Sequence, residues 1–371
     1  MKFESVSELL LERVAAGDFP SAVYLVAEKG TVKAADAVGR AVVEPEDIEA
    51  RPDTIYDLAS LTKPLVTGLL STILIDQGEL SLDDRVADLL PDFAAPDKNE
   101  MTVGELLTHT SRLAAWLPLY LCVNDPDEIV AEIARTPRVE SANAVTYSDL
   151  NYIALGRLIE RITGHDLDDA AIEMIFEPLE LNRTFFCPPS IYRRSTAASE
   201  VGNRFERQTC EREFPHLQIK PGDFRSEVIW GEVHDGNAHF MGGVAGHAGL
   251  FSTADNVFRL AHQFLPQYST LVSAEMCELF QRNFSPDGNE HRSVGFQLAT
   301  TPESTAGENM STASFGHLGF TGTSLWIDPV NERVFILLTN RTHCHTLPFV
   351  LLNSVRRRFH DLAIASLEAN S

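Results

Sequence analysis

Strand-like runs lie at both ends of this chain, with helical signals between them, and this placement limits the fold more than any other feature. Val6, Leu9, Leu10 and Val14 recur at helical spacing, so residues near 4–16 read as an amphipathic helix. Ser21 to Glu28, a Lys29-Gly30 turn and Thr31 to Val38 read as a hairpin. A polar, Pro-containing loop from Glu44 to Arg51 leads to Ile55 and Tyr56. Ser60 to Gly78 is helical, closed by Gly78 at the C′ position. Helical signals follow at 83–90, 102–109, 127–136, 148–163 and 166–176, and residues 190–245 read as a long irregular lobe. Helices at 254–265 and 273–281 precede strand-like runs near 293–300, 314–319, 322–328 and 333–339, and a closing helix is expected at 347–359. The expectation is an α+β chain. Residues 1–59 and 246–371 would form one discontinuous sheet domain, with an antiparallel sheet flanked by helices, and residues 60–245 an inserted, mostly helical domain. A cleft between the two is the natural place for a site.

Composition narrows the function classes. With 371 residues, 44% of them hydrophobic, the chain can bury a full core. Its formal charge of −23 repels phosphate backbones and anionic headgroups, which argues against nucleic-acid and membrane-surface partners. Cys122, Cys187, Cys210, Cys277 and Cys344 are scattered and never spaced C-x-x-C, as suits reduced thiols rather than a disulfide framework or zinc site. The N-terminus lacks the pattern of a secretion signal, and the longest apolar stretch, Val66 to Ile75, is too short to span a bilayer. A cytoplasmic location is expected.

Two stretches carry chemistry: Ala59-Ser60-Leu61-Thr62-Lys63-Pro64 and Thr146-Tyr147-Ser148-Asp149. Residues i and i+3 share a helix face, so the Lys63 ammonium can reach the Ser60 hydroxyl. A serine hydroxyl needs a nearby base, and a desolvated lysine can serve. The start of the helix adds N–H groups that favour an oxyanion. Alone, Ser-x-x-Lys equally describes a serine N-cap followed by a solvated lysine. Tyr147, just before an apolar helix, can point a phenol into a cleft. A third cluster, Phe315-Gly316-His317-Leu318-Gly319-Phe320-Thr321-Gly322, reads as strand, with glycines where a substrate backbone could come close.

Together, Ser-x-x-Lys, Tyr-Ser-Asp and His-x-Gly resemble the serine β-lactamase and penicillin-binding protein superfamily. The likeness is greatest to its class C-like branch of β-lactamases, D-amino-acid peptidases and carboxylesterases. Leu106-Leu-Thr-His-Thr-Ser-Arg-Leu113 resembles that branch's LLTHTSGL signature, with Arg112 where Gly is usual, and the likeness spans about residues 5–360. The resemblance implies a β-lactamase/transpeptidase-like fold. It also implies an acyl-enzyme on Ser60, with Lys63 and Tyr147 sharing the proton transfers. The oxyanion hole would be the N–H of Ser60 and one after His317-Leu318-Gly319, assigned to Phe320. No metal or cofactor is implied. The implied substrate is a small ester, amide or peptide.

Two departures bear on substrate. His317 stands where the family often has Lys, which weakens the case for a substrate carboxylate, although Arg341, beside Asn340, could supply a cation. Asp149 stands where Asn is common, and would repel a carboxylate unless paired with Lys63 or another cation. The run Val233-His-Asp-Gly-Asn-Ala238 and Gly242 to Gly249 reads as a tight loop near the site, with direct substrate contact as the alternative. It is similar to a subgroup that includes cytosolic amidases of muropeptide recycling. His343-Cys344-His345 suggests metal at first sight, but alternating strand residues splay apart. No G-x-S-x-G, H-E-x-x-H or Walker motif is present. The reading is a serine esterase or amidase. A β-lactamase or D,D-carboxypeptidase is the alternative, and a catalytically silent binding protein is an alternative of another class.

Overall fold

The computed structural model describes residues 3–140, 145–343 and 347–369. Cys344 and His345 lie outside them. One seven-stranded antiparallel sheet organises the chain. Its strands, numbered along the chain, are β1 (Ser21–Glu28), β2 (Thr31–Val42), β3 (Ile48–Glu49), β4 (Gln297–Leu298), β5 (Phe315–Leu318), β6 (Ser324–Asp328) and β7 (Arg333–Thr339). The spatial order is β3-β2-β1-β7-β6-β5-β4, so the N-terminal hairpin pairs directly with the C-terminal strands. The register runs from Ala22 opposite Thr339 to Glu28 opposite Arg333.

Side chains alternate between the two faces of a strand, and here both faces are covered. Ala22, Tyr24 and Val26 of β1 pack with Phe335 and Leu337 against α1 (Glu4–Ala15) and the last helix, Asn353–Glu368. Val23, Leu25 and Ala27 point the other way, into the core shared with α2 (Leu69–Asp76), α3 (Asp149–Thr163) and α4 (Ala254–His262). The C-terminal helix is therefore α5. Double burial explains why β1 and β7 read as continuous apolar runs rather than as alternating patterns.

Three elements depart from the sequence expectation. The lobe at 190–245 is ordered: Ala198–Val201 pairs with Val228–Trp230, and Arg204–Glu213 and Gly236–Phe240 are helices. The run near 293–300 forms only the two-residue β4, because Gly295, at φ 76°, turns the chain just before it. The closing helix spans Asn353–Glu368 instead of 347–359. Pro348, which has no N–H to donate, sits in the approach rather than in the helix.

Candidate active site

Ser60 is presented by a turn that is tied down on both sides. Tyr56–Asp57 lies in a small sheet beside Leu250–Ser252, which also pairs with Phe185–Phe186. The Asp57 carboxylate accepts from the Ala59 N–H at 2.8 Å and from the His234 N–H at 2.8 Å. Ala59 then adopts the left-handed conformation, φ 48°, so the chain reverses sharply and lifts Ser60 into the cleft. Thr321 and Thr323, flanking the β5–β6 turn, donate to the carbonyls of Asp57 and Leu58 at 2.8 and 3.2 Å. These bonds lock the serine turn against the end of β5. The chain beyond Ser60 opens in wide turns over Lys63–Gly68 before α2.

Glycines 316 and 319 serve the protein's own packing, and Gly319 also lines the cleft. A side chain at Gly316 would enter the Trp326 ring, and one at Gly319 would come within 2.5 Å of the Leu58 carbonyl oxygen. The Gly/His segment folds as a short helix, Gly236–Phe240, followed by a tight loop, and His234, Asp235 and Ala248 line the cleft. Gly246 packs backbone to backbone on Gly156 of α3, and its carbonyl accepts from the Thr67 hydroxyl at 2.7 Å. That contact brings the next carbonyl, of His247, to the lysine.

Lys63 is fully buried and its ammonium has three close acceptors. Nζ donates to Ser60 Oγ at 2.9 Å and to the His247 carbonyl at 3.0 Å. It lies 2.7 Å from Asp149 Oδ1, an ion pair by distance, though off the line of a hydrogen bond. Nζ stands 5.1 Å from the centre of the Tyr147 ring. Burial opposes the ammonium, but Asp149 and Tyr147 outweigh it, so the Lys63 pKa is raised above its ordinary value.

Tyr147 is held by rings and charge. His109 packs against it with centroids 4.5 Å apart, and the Arg292 guanidinium lies over the ring, 5.1 Å from its centre. His109 Nδ1 accepts from the Ser148 N–H at 3.0 Å, which places the ring proton on Nε2. His317, 5.7 Å from Tyr147 between centroids, has Nδ1 at 2.9 Å from the Leu318 carbonyl, an acceptor, so its proton sits on Nδ1. Burial and the charges of Lys63 and Arg292 push both imidazoles well below their ordinary pKa. Both are neutral at pH 7.

Asp149, Asp235 and His247 bring ligand atoms within 4.8 Å of one another, the spacing of a three-ligand cation site. The cation they face is the Lys63 ammonium, whose charge acts on Asp235 as well as on Asp149. Asp235 loses part of its affinity for a proton to His247, 2.9 Å away. Although burial works the other way, its pKa is held below the ordinary value.

A cleft of about 770 Å³ opens over these groups. Ser60, Tyr147, Asp149, His317, Gly319 and Phe320 line it. Lys63 is not among the lining residues and reaches Ser60 Oγ from behind the wall. Asn340 and Arg341 are not among the lining residues, and this corrects their expected place. Asn340 Oδ1 accepts from the N–H of Ser21 at 2.9 Å and from its hydroxyl at 2.7 Å, while Nδ2 donates to the Ala41 carbonyl at 3.0 Å. Arg341 donates to the carbonyls of Phe320 and Val350 at 2.6 and 2.9 Å, with its guanidinium over the Phe320 ring. His234 and Asp235, from the Val233–Ala238 run for which substrate contact was the alternative expectation, also line the cleft, and Arg292 and Glu206 are lining residues that the sequence motifs did not single out. Arg292 follows no motif and comes from an irregular turn.

A cleft serine held by a buried lysine beside a tyrosine, set at an antiparallel sheet with helices on both faces, defines an α+β serine hydrolase of the β-lactamase/transpeptidase type. The beta-lactamase family profile matches residues 6–349, and the chain belongs to that family. It is 31% identical over 353 residues to a protein of Escherichia coli (strain K12) named "Putative D-alanyl-D-alanine carboxypeptidase", covering 88% of this chain and 79% of that one. It is 29% identical to an N-acetylmuramyl-L-alanine amidase of Bacillus subtilis (strain 168), covering 92% and 81%. Among solved structures, EstCE1, "a hydrolase with promiscuous acyltransferase activity", superposes with TM-score 0.74 at 18% identity, covering 97% of each chain. A class C beta lactamase from Rhodobacter sphaeroides gives 0.72 at 18%, covering 98% of this chain and 99% of that one.

Proposed function

We propose that this hydrolase cleaves an ester or amide bond of a small substrate through an acyl-enzyme on Ser60. The observation that carries the reading is the fully buried Lys63 ammonium at 2.9 Å from Ser60 Oγ. As Oγ attacks the carbonyl carbon, its proton passes to the Lys63–Tyr147 pair. The oxyanion is met by the N–H groups of Ser60 and Phe320. Collapse expels the leaving group with the proton from that pair, and water then releases the acyl group by the same steps. A silent binding protein would have no use for a lysine buried against a serine.

The lining supports an amide or ester whose reacting end bears no carboxylate. Asp149, Glu206, Glu213, Asp235, Glu290 and Glu303 line the cleft, and Arg292 is ion-paired with Glu290. His317 is neutral and Arg341 is engaged with backbone carbonyls. This disfavours a D,D-carboxypeptidase or β-lactamase, whose substrates present a carboxylate. The relative named as an N-acetylmuramyl-L-alanine amidase favours amides of cell-wall-derived peptides. A cytoplasmic location, away from the intact wall, is supported by the acidic surface and by free Cys122, Cys187, Cys210 and Cys277; no described helix is long and apolar enough to cross a membrane.

A fluorophosphonate probe should label Ser60, and an activated p-nitrophenyl ester should give a burst of product. Ser60→Ala should abolish both. Full turnover by this variant rules the mechanism out.

A further inference from the structure

We propose that Asp149 is a charge-setting, positioning residue that keeps the Lys63–Tyr147 pair protonated and so moves hydrolysis to higher pH than an asparagine there would allow. The inference rests on the acyl-enzyme reading above and concerns when that pair becomes a base.

The geometry is specific. Asp149 opens α3 directly after the Tyr147-Ser148 turn, and its Oδ1 lies 2.7 Å from Nζ of a lysine without solvent contact. The other two acceptors of the ammonium, Ser60 Oγ and the His247 carbonyl, are neutral. Asp149 is thus the nearest full negative charge, and an ion pair this close in a buried setting favours the charged lysine. Desolvation alone would favour the free amine; Asp149, the larger of the two opposing influences, reverses that outcome together with Tyr147.

The consequence for the reaction follows from proton counting. To take the Ser60 proton as Oγ bonds to the carbonyl carbon, the pair must first have lost one proton to water. It then carries the Ser60 proton and delivers it to the leaving group, ending as it began. Every form of the pair short of one proton is penalised by the Asp149 carboxylate, whether the vacancy is on the amine or on the phenol. The acid limb of the rate profile is therefore displaced upward.

The other charged and titratable groups around the pair do not cancel this. From the 103–109 helix and turn comes His109, and from β5 comes His317, both neutral. Tyr152 of α3 lies 6.0 Å from Nζ by its ring centre. Arg292, from the turn before β4, stands over the Tyr147 ring and opposes Asp149 there, but at 5.1 Å from the ring centre and ion-paired with Glu290 it offsets only part of the effect of a carboxylate 2.7 Å from Nζ. The Gly/His loop contributes Asp235, which is paired with His247 and acts on Lys63 in the same sense as Asp149.

The test is the pH dependence of kcat/KM for an uncharged p-nitrophenyl ester, read at the isosbestic wavelength of p-nitrophenol, in wild type, Asp149→Asn, Asp149→Glu and Ser60→Ala. The acid limb of Asp149→Asn should fall by about one pH unit or more, the usual effect of removing a charge at this distance. Asp149→Glu, which restores the charge, should keep a limb near wild type. An Asp149→Asn limb superimposed on wild type overturns the proposal. So does an Asp149→Glu limb that moves with Asp149→Asn, because the effect would then belong to shape. If Asp149→Asn is misfolded by circular dichroism, Asp149→Ser supplies the neutral side chain under the same criteria. Labelling of Ser60 by a neutral fluorophosphonate separates the two readings: it persists when only the Asp149 proposal fails, and is missing from every variant when the acyl-enzyme reading fails.

Discussion

At Glu206 a carboxyl group is buried beside the Asp235 carboxylate at the wall of the cleft. Gly236 N–H and the Tyr120 hydroxyl donate to its two oxygens at 2.8 and 3.0 Å. Burial, and then the charge of Asp235, raise its pKa to about 7. An unfolded glutamate titrates near 4.5, so the folded state binds the proton more tightly. Its contribution is therefore present below pH 4.5 and lost as pH rises to about 7. Glu206→Gln should match wild type at pH 4 and exceed it at pH 8, by as much as about 3 kcal/mol. Paired denaturant titrations across that window check this, and a constant offset would exclude it. The chemistry-bearing residues differed in how far the sequence disclosed them. The approach of Lys63 to Ser60 was legible because a three-residue spacing at a helix start is local geometry, but that spacing equally described a capping serine and a solvated lysine, and only the joint motifs favoured a catalytic pair. Tyr147 was legible from its place before an apolar helix. Arg292 was not, since it reaches the tyrosine ring from a turn without periodicity. Asn340 and Arg341 were misplaced because no pattern states which way a chain turns after a buried strand.

Among elements, the turn at Ser111-Arg112-Leu113 keeps a conformational demand that its side chain does not meet. Arg112 has φ 61°, the left-handed region, and its side chain is exposed. This accounts for the glycine usual at that place in the related signature. Arg112→Gly should stabilise the protein by about 1 kcal/mol, relief of left-handed strain exceeding the added entropy of the unfolded chain. Thermal melts measure it; a lower midpoint would contradict it. Helix legibility followed burial. The helix ending at Thr163 and Gly164 was read to within a residue because its buried face repeats at helical spacing. Arg204–Glu213 escaped because its buried side chains are Glu206 and Cys210, and a carboxylate does not register as core. Hydrogen bonds to Glu206, which hydropathy does not record, tie that segment down together with the packing of Phe205 on Phe320 and Phe349.

For the molecule as a whole, the two ends of the chain meet at Asn340. Its amide joins the start of β1 to the end of β2 and follows directly on β7. Asn340→Ala would leave the Ser21 N–H and the Ala41 carbonyl buried without that partner, at a cost of about 3 kcal/mol. The denaturant midpoint should fall accordingly, with Ser60 labelling retained at low temperature. Loss of labelling with unchanged stability would instead give Asn340 a place in the chemistry.

The pairing of β1 with β7 also has a temporal side. Glu28 waits for Arg333, so a ribosome must add about three hundred residues before the inner edge of the first hairpin finds its neighbour. Until then an apolar strand presents open N–H and C=O groups to anything extended nearby. Production of this protein should therefore be limited by how well that edge is shielded during synthesis. Slower growth or a chaperone that covers strand edges would raise the soluble yield more than any gain in final stability.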